Sequence, residues 1–249
     1  MLRKIYLIGL NSLLWGFFVV TSMVLDVGAA ILRVVTAPFD PNLKILQQYT
    51  CFWSSLYIWF NPFWRLRKKG LEKVDRSRTY VIVANHQSLA DILCIFNTWL
   101  HFKWVAKASL FKAPLLGWNM WLNGYIPIDR GNAESRDRCL NACKKWLAKG
   151  SSVFFFPEGS RSEDGKLRPF KVGAFRLALD TGHDILPIVI QDSLYAVPKY
   201  SRLLSGKSKM RMEVLDPISI APYRDMGPDE GASRLSDAVR AAIAARMGP

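Results

Sequence analysis

The chain has 249 residues, half of them hydrophobic, which suffices for one globular domain of roughly 180 residues and an appendage. Its formal net charge is +14, and residues 65–249 carry 30 of the 34 basic and 18 of the 20 acidic side chains, a net +12. This balance favours an anionic partner, and because no recognisable nucleic-acid-binding motif accompanies it, membrane lipid or a phosphorylated substrate is favoured over nucleic acid.

Two uncharged apolar segments open the chain, Ile5–Leu25 and Ile45–Trp64. Each is about as long as a helix needs to cross a hydrocarbon core. Basic residues precede the first and follow the second, which predicts a hydrophobic helical hairpin with both ends at the cytoplasmic face of a membrane, the inner membrane if the source is bacterial. Whether the pair spans the bilayer or lies in one leaflet stays open. A signal peptide and a buried pair of core helices are the alternatives.

We therefore predict two parts: a membrane-docking helical pair over 1–69 and an α/β domain over 70–249. In the second part, strand-like and helix-like patterns alternate, which predicts a mixed, largely parallel sheet flanked by helices. The predicted strands are Thr79–Ala84, Phe102–Ala106, Tyr125–Ile128, Val153–Phe156 and Ile185–Ile190, with Lys209–Leu215 as an edge strand. The predicted helices are Leu89–Leu100, Glu134–Ala148, Gly173–Thr181 and Ala232–Arg246.

The four cysteines form no Cys-x-x-Cys pair, and the chain has only three histidines. A metal site is therefore disfavoured, and we expect reduced, mostly buried thiols and no metal.

A histidine and an aspartate follow the first predicted strand of the domain. His86 and Asp91 are five residues apart, about 140° on an ideal helix, so they can meet only if His86 lies in a turn and Asp91 in the first helical turns. Ser88 as an N-cap would produce that break. In this arrangement His86 takes a proton from a hydroxyl while Asp91 holds its tautomer.

Further polar residues follow other strands, at the ends where open α/β sheets bind ligands. Arg130 and Arg161 offer planar forks for phosphate oxygens. Gly159 lets the backbone approach a ligand and could present an N–H group to it. Ordinary ion pairs, Asp129 with Arg130 and Glu158 with Arg161, are the alternative. Pro187 interrupts an apolar strand and could mark a sheet edge.

Together these runs resemble the four blocks of the glycerolipid acyltransferases, in particular the 1-acyl-sn-glycerol-3-phosphate acyltransferases, over roughly residues 70–220. The blocks are Asn85-His86-x4-Asp91, 124–130, Phe156-Pro157-Glu158-Gly159-Ser160-Arg161 and Leu186-Pro187. One departure is Ser160, where threonine is common, and it keeps the hydroxyl.

The resemblance implies an O-acyltransferase that makes phosphatidic acid from lysophosphatidic acid. His86 and Asp91 would be catalytic, and acyl-CoA or acyl-carrier protein would be the co-substrate, with no other cofactor. The acceptor phosphate would contact a set of residues from the second and third blocks, with Lys107 added because it follows a strand near the site: Arg130, Glu158, Gly159, Arg161 and Lys107. Lys171 is a weaker candidate for the same phosphate.

Other readings stay open. The acceptor could be another lysophospholipid or glycerol-3-phosphate, since related families share the blocks. A non-enzymatic basic module that binds membrane lipid is a second class. A hydrolase using Ser88 or a metal is a third, although no Gly-x-Ser-x-Gly elbow is present.

Overall fold

A seven-stranded sheet organises the chain in the computed structural model, which describes residues 2–200, 204 and 206–247, and side chains from residue 8 onward. The strands are β1 (Trp64–Lys69), β2 (Val81–Ala84), β3 (Phe102–Lys107), β4 (Ile126–Ile128), β5 (Ser152–Phe155), β6 (Ile185–Gln191) and β7 (Ser208–Val214). The helices are α1 (Leu2–Thr36), α2 (Lys44–Trp59), α3 (Ala90–Phe96), α4 (Leu116–Leu122), α5 (Ala133–Ala148), α6 (Gly173–Thr181) and α7 (Pro228–Met247).

The strand order is β1-β7-β6-β2-β5-β3-β4, and the five strands from β6 to β4 run parallel. Strand β7 is antiparallel to β6, and β1 is parallel to β7. The predicted mixed, largely parallel sheet flanked by helices is therefore confirmed. The carboxyl ends of β2, β3, β4 and β5 meet at one edge of this sheet, which gathers the loops that follow them.

Two details of the predicted sheet are wrong. Strand β7 is not at the edge, because β1 pairs with it from Trp64 to Lys69. The basic run in β1 looked like a membrane flank, yet charged side chains are also typical of an edge strand. Pro187 lies in β6, between β2 and β7, and so does not mark an edge. The predicted boundary between the two parts of the chain, after residue 69, stays a prediction. Strand β1 precedes this boundary and is hydrogen bonded to β7 of the main sheet.

Alternate residues of β2 face opposite sides of the sheet, as strand geometry requires. Ile82 and Ala84 pack in the core that contains α3, and Val81 and Val83 pack in the core that contains α5, α6 and α7. Both faces of β2 are thus covered, which explains its continuous apolar run. Buried strands of this kind give the residues after β2 a rigid base.

The two apolar N-terminal segments form different helices. Helix α1 is the one candidate membrane span in the described part of the chain, by length and composition. Helix α2 has 16 residues, is too short to cross a bilayer, and buries one face against the domain. Its polar residues bond to that domain: Gln47 accepts from the Tyr125 hydroxyl at 2.9 Å and Ser55 donates to Asn97 at 3.2 Å. Helix α2 therefore packs on the domain, and membrane docking by the pair of helices stays a prediction.

Candidate active site

His86 and Asp91 meet at the turn between β2 and α3. His86 lies in the turn and Asp91 is the second residue of α3, as the five-residue spacing predicts. Asp91 Oδ2 accepts from His86 Nδ1 at 2.8 Å and from the backbone N–H groups of Gln87 at 2.6 Å and Ser88 at 2.8 Å. One fully buried carboxylate oxygen therefore orients the imidazole and shapes the turn around it.

This contact sets the chemistry of the imidazole. Because Nδ1–H donates to Asp91, the other ring nitrogen, Nε2, is the one left to accept a proton. The His86 ring stacks on Phe156, with centroids 3.8 Å apart and planes 8° apart. The His86 side chain is 13% exposed, so it is accessible yet held on two sides.

Ser88 does not play the part predicted for it. Helix α3 begins at Ala90 after Leu89, so Ser88 is not the N-cap, although its hydroxyl accepts the Ala90 N–H at 3.2 Å. The same hydroxyl donates to the Val197 carbonyl at 2.8 Å and is fully buried. A buried hydroxyl held in this way does not fit the nucleophile of a hydrolase.

Glu158 joins the two central motif loops. Its Oε1 accepts the His86 N–H at 2.6 Å, and its Oε2 accepts the Arg168 N–H at 3.0 Å. The side chain is buried, and burial raises the pKa of Glu158 to about 7 against the two backbone hydrogen bonds that lower it. Both oxygens are thus engaged, which favours a role in positioning the His86 turn over direct contact with a phosphate. The proposed ion pair with Arg161 does not form.

Gly159 adopts a left-handed conformation, with φ of +78°, that side chains rarely allow. A Cβ there would lie 3.0 Å from Lys171 Cε. Its N–H donates to the Phe156 carbonyl at 3.0 Å, so it closes a turn and is not presented to a ligand as predicted. Gly159 therefore shapes the loop after β5.

Arg161 lies beside the His86 turn, because the N–H of the next residue, Ser162, donates to the His86 carbonyl at 2.8 Å. Arg161 is half-buried, and its Nη1 is buried with no hydrogen-bond partner among the described residues. A buried guanidinium nitrogen without an acceptor is unfavourable, and an anionic ligand would supply the acceptor.

The other predicted cations surround the same edge of the sheet. Lys107 ends β3 and Arg130 follows β4, and both are exposed. Arg130, Gly159 and Lys171 line a cavity of about 540 Å³ that Phe156 also borders. Lys107 and Arg161 do not line it, so the predicted phosphate contacts fall into two groups on the structure.

Several residues at the site lay outside the predicted set. Phe156 opens the third motif block, but nothing in the sequence shows that its ring stacks on His86. Asn85 exchanges two hydrogen bonds with the backbone of Ile190, at 2.7 and 2.8 Å, and ties the end of β2 to β6. The only indication of this role in the sequence is that Asn85 directly precedes His86. All four cysteines are free and buried, as predicted.

The fold and the site, an oriented histidine at the carboxyl edge of an α/β sheet with cations around it, fit an enzyme of the acyltransferase class. The Acyltransferase family model matches residues 65–191. The chain belongs to this family, as its four motif blocks predict.

Similar proteins of known name support membership of this family. The chain is 34% identical over 239 residues to the chloroplastic 1-acyl-sn-glycerol-3-phosphate acyltransferase LPAT1 of Arabidopsis thaliana, covering 93% of this chain and 66% of that one. It is 35% identical to the human 1-acyl-sn-glycerol-3-phosphate acyltransferase alpha, covering 80% and 68%. The chain thus spans about two thirds of the length of these relatives. The crystal structure of the 1-acyl-sn-glycerophosphate acyltransferase PlsC from Thermotoga maritima shares the fold, with a TM-score of 0.72, 23% identity and coverage of 97% and 96%.

Proposed function

We propose that the chain transfers an acyl group from acyl-CoA or acyl-carrier protein to the sn-2 hydroxyl of 1-acyl-sn-glycerol-3-phosphate, giving phosphatidic acid for phospholipid synthesis. The observation that carries the proposal is the His86–Asp91 pair beside a guanidinium group that lacks an acceptor. A lysophospholipid brings one hydroxyl and one phosphate close together, and this arrangement provides a base and a cation for them.

The reaction needs no covalent enzyme intermediate. His86 Nε2 takes the hydroxyl proton, and the acceptor oxygen forms a bond to the thioester carbonyl carbon. The carbon–sulfur bond then breaks, and the departing thiolate receives the proton from the imidazolium. Asp91 stabilises the imidazolium while it exists, because its carboxylate oxygen lies 2.8 Å from Nδ1.

The acceptor phosphate is proposed to bind among Arg161, Lys107 and Arg130. Arg161 supports this most strongly, since it combines burial with an unused donor. Lys107 ends β3, Arg130 follows the neighbouring parallel strand β4, and both are exposed. Glu158 and Gly159 support the phosphate site through the shape of the loop, as described above.

An apolar cavity of about 380 Å³ provides space for an acyl chain. It opens between α1 and α3, and its lining includes Leu14 and Phe18 of α1, Leu93 of α3, and Leu89 just before α3. Leu89 belongs to the block between His86 and Asp91, so the cavity begins close to the base. A chain held there would leave the glycerol headgroup at the polar edge of the sheet.

Helix α1 is proposed to dock the protein on one leaflet of a membrane. One of its faces packs against α2 and the domain: Asn11 accepts from the Leu204 N–H, Ser22 bonds to Tyr57 of α2, and Ala29 is fully buried. The opposite face is apolar and exposed, with Val24 at 65% and Val27 at 61%. A helix held along the domain in this way favours lying in one leaflet over crossing both. The cytoplasmic face is proposed because the thioester donors are cytoplasmic.

The decisive experiment uses purified protein, labelled acyl-CoA and acyl-carrier protein, and a panel of lysophosphatidic acid, other lysophospholipids and glycerol-3-phosphate. His86→Ala should abolish labelling of phosphatidic acid. His183→Ala, at a half-buried histidine before β6, is the matched control and should stay active.

Each alternative has its own outcome in this panel. Full activity of His86→Ala refutes the proposal. A preference for another acceptor would show that this acceptor, and not lysophosphatidic acid, is the substrate. Salt-sensitive binding to vesicles without transfer by the wild-type chain supports the non-enzymatic membrane module.

A further inference from the structure

The 540 Å³ cavity carries more positive charge than one acceptor phosphate requires. Besides Arg130, three cations line it: Arg136 on α5, Lys171 before α6, and Arg176 on α6. Only Arg176 has an ion-pair partner among the described residues, Asp229 of α7. Asp137 is the single carboxylate in the lining. The cavity is therefore a cationic site, of the size typical for small-molecule ligands.

Backbone groups add to this charge. Helix α6 begins at the cavity, and its N-cap residue Val172 supplies no side-chain cap. The positive end of the helix dipole and the first N–H groups face an anion that enters there. Gly173 leaves open space beside them.

One aromatic ring connects the cavity to the proposed catalytic residue. Phe156 lines it, and the ring of Phe156 is stacked on His86. Arg161, the cation beside the His86 turn, does not line the cavity, whereas Arg130, Arg136, Lys171 and Arg176 do. Two cationic groups therefore lie close to one base.

We propose that this cavity binds the phosphate of the acyl donor's phosphopantetheine arm, through Arg136, Lys171 and Arg176. The inference rests on the proposed function, which uses two phosphate-bearing substrates at once. The acceptor has a phosphate close to its hydroxyl and takes Arg161. The donor has a phosphate at the far end of a flexible arm, which lets the thioester reach His86 while the phosphate stays in the cavity.

Arg136→Glu is the test, because Arg136 is exposed, has no ion-pair partner among the described residues and is not needed for packing. Losing a charge-assisted contact should raise the KM for acyl-CoA about tenfold, and reversal of the charge should raise it further. The KM for lysophosphatidic acid should stay within about twofold. Arg138→Glu is the matched control, since Arg138 lies on the same helix, pairs with Glu134 and does not line the cavity.

The donor can be varied to locate the contact. With an acyl-pantetheine donor, which lacks the phosphate, Arg136→Glu and wild type should have the same KM. An equal rise with acyl-carrier protein and acyl-CoA identifies the shared phosphate of the arm. A rise with acyl-CoA alone identifies the nucleotide phosphates instead. An equal loss with acyl-pantetheine would overturn the proposal, as would a rise in the KM for the acceptor.

Binding of free coenzyme A, measured by titration without acceptor, separates this proposal from the proposed function. Wild type should bind coenzyme A, and Arg136→Glu should bind it at least about tenfold more weakly than Arg138→Glu does. Equal binding by the two variants refutes the donor site even if transfer proceeds. Binding that depends on Arg136 in a chain that transfers no acyl group refutes the proposed function alone.

Discussion

Replacing Glu158 by glutamine tests whether this carboxylate positions the base or contacts the substrate. The two side chains have the same shape, but glutamine offers one acceptor oxygen and one NH₂ group. In the structure both glutamate oxygens accept backbone N–H groups, from His86 and Arg168. In Glu158→Gln one of these N–H groups would therefore face another donor.

The size of the effect follows from the hydrogen bond that is lost. A hydrogen bond to a charged group contributes about 1.5–3 kcal/mol, and its donor is buried here. If that energy holds the His86 turn in its productive shape, kcat should fall about 10–100-fold, since about 1.4 kcal/mol corresponds to tenfold. The KM for lysophosphatidic acid should hardly change.

The assay measures initial rates of labelled phosphatidic acid formation while each substrate is varied in turn. Glu163→Gln is the matched control, because Glu163 lies in the same loop, is exposed and pairs with Lys199. A Glu158→Gln enzyme as fast as wild type would refute the positioning role. A lower KM for the acceptor with unchanged kcat would show instead that Glu158 repels a bound phosphate.

The raised pKa of Glu158 adds a pH dependence with a definite sign. The pKa of Glu158 is about 7 in the folded chain, against an ordinary value of 4.5. Between these two pH values, the folded chain therefore binds the carboxyl proton more tightly than the unfolded chain does. Its contribution to the free energy of unfolding is complete below pH 4.5 and is lost as pH rises through about 7, a total of about 3 kcal/mol. The thermal midpoint of wild type should therefore fall relative to Glu158→Gln over this interval. Parallel pH curves for the two proteins would contradict the assignment.

Three further predictions concern separate parts of the molecule. Asp91→Asn keeps one oxygen for the three donors, removes the charge and replaces the other oxygen, which has no hydrogen-bond partner among the described residues, by an NH₂ group. The kcat should fall about 10³–10⁴-fold with the fold retained by circular dichroism. A loss below tenfold would argue against an imidazolium in the reaction. Arg161→Ala should raise the KM for lysophosphatidic acid about tenfold or more, with kcat affected less, and unchanged acceptor kinetics would remove Arg161 from the phosphate site. The double variant Val24→Lys, Val27→Lys should weaken co-sedimentation with vesicles at least tenfold, because burying each apolar side chain in lipid contributes about 1.5–3 kcal/mol. Its thermal midpoint in detergent should not change. Undiminished binding would show that this face of α1 does not contact the membrane.

Elements with strong local patterns could be predicted from the sequence. Helix α6 matches its predicted bounds, and β2, β3, β5 and β6 lie within a residue or two of theirs. Strand β1 could not be predicted, because its basic residues carry no apolar pattern and its partner β7 lies more than 130 residues away. For helix α2 the sequence left two environments open, lipid and the protein core. Hydropathy cannot distinguish an apolar face that packs on a sheet from one that meets lipid.

The site residues likewise include some that could be predicted from local sequence and some that depend on distant contacts. The meeting of His86 and Asp91 depends on a short local turn, and the spacing alone predicted it. The position of Glu158 depends on a bond to the backbone of His86, 72 residues away, and charge alone suggested a ligand contact. Residue type indicates which groups can bind a phosphate, but only the tertiary structure shows which of their atoms are already engaged.

The placement of charge fits the proposed binding of two anionic substrates at a site with two central carboxylates. Asp91 and Glu158 are buried, and their contacts run to N–H groups of the protein itself. The carboxylates are thereby held behind the motif loops, where they orient the His86 turn. The cations are arranged in the opposite sense: Lys107 and Arg136 are exposed, and Arg161 keeps an unused donor. An anion approaching this edge of the sheet meets the cations first, although the carboxylates determine where the base stands.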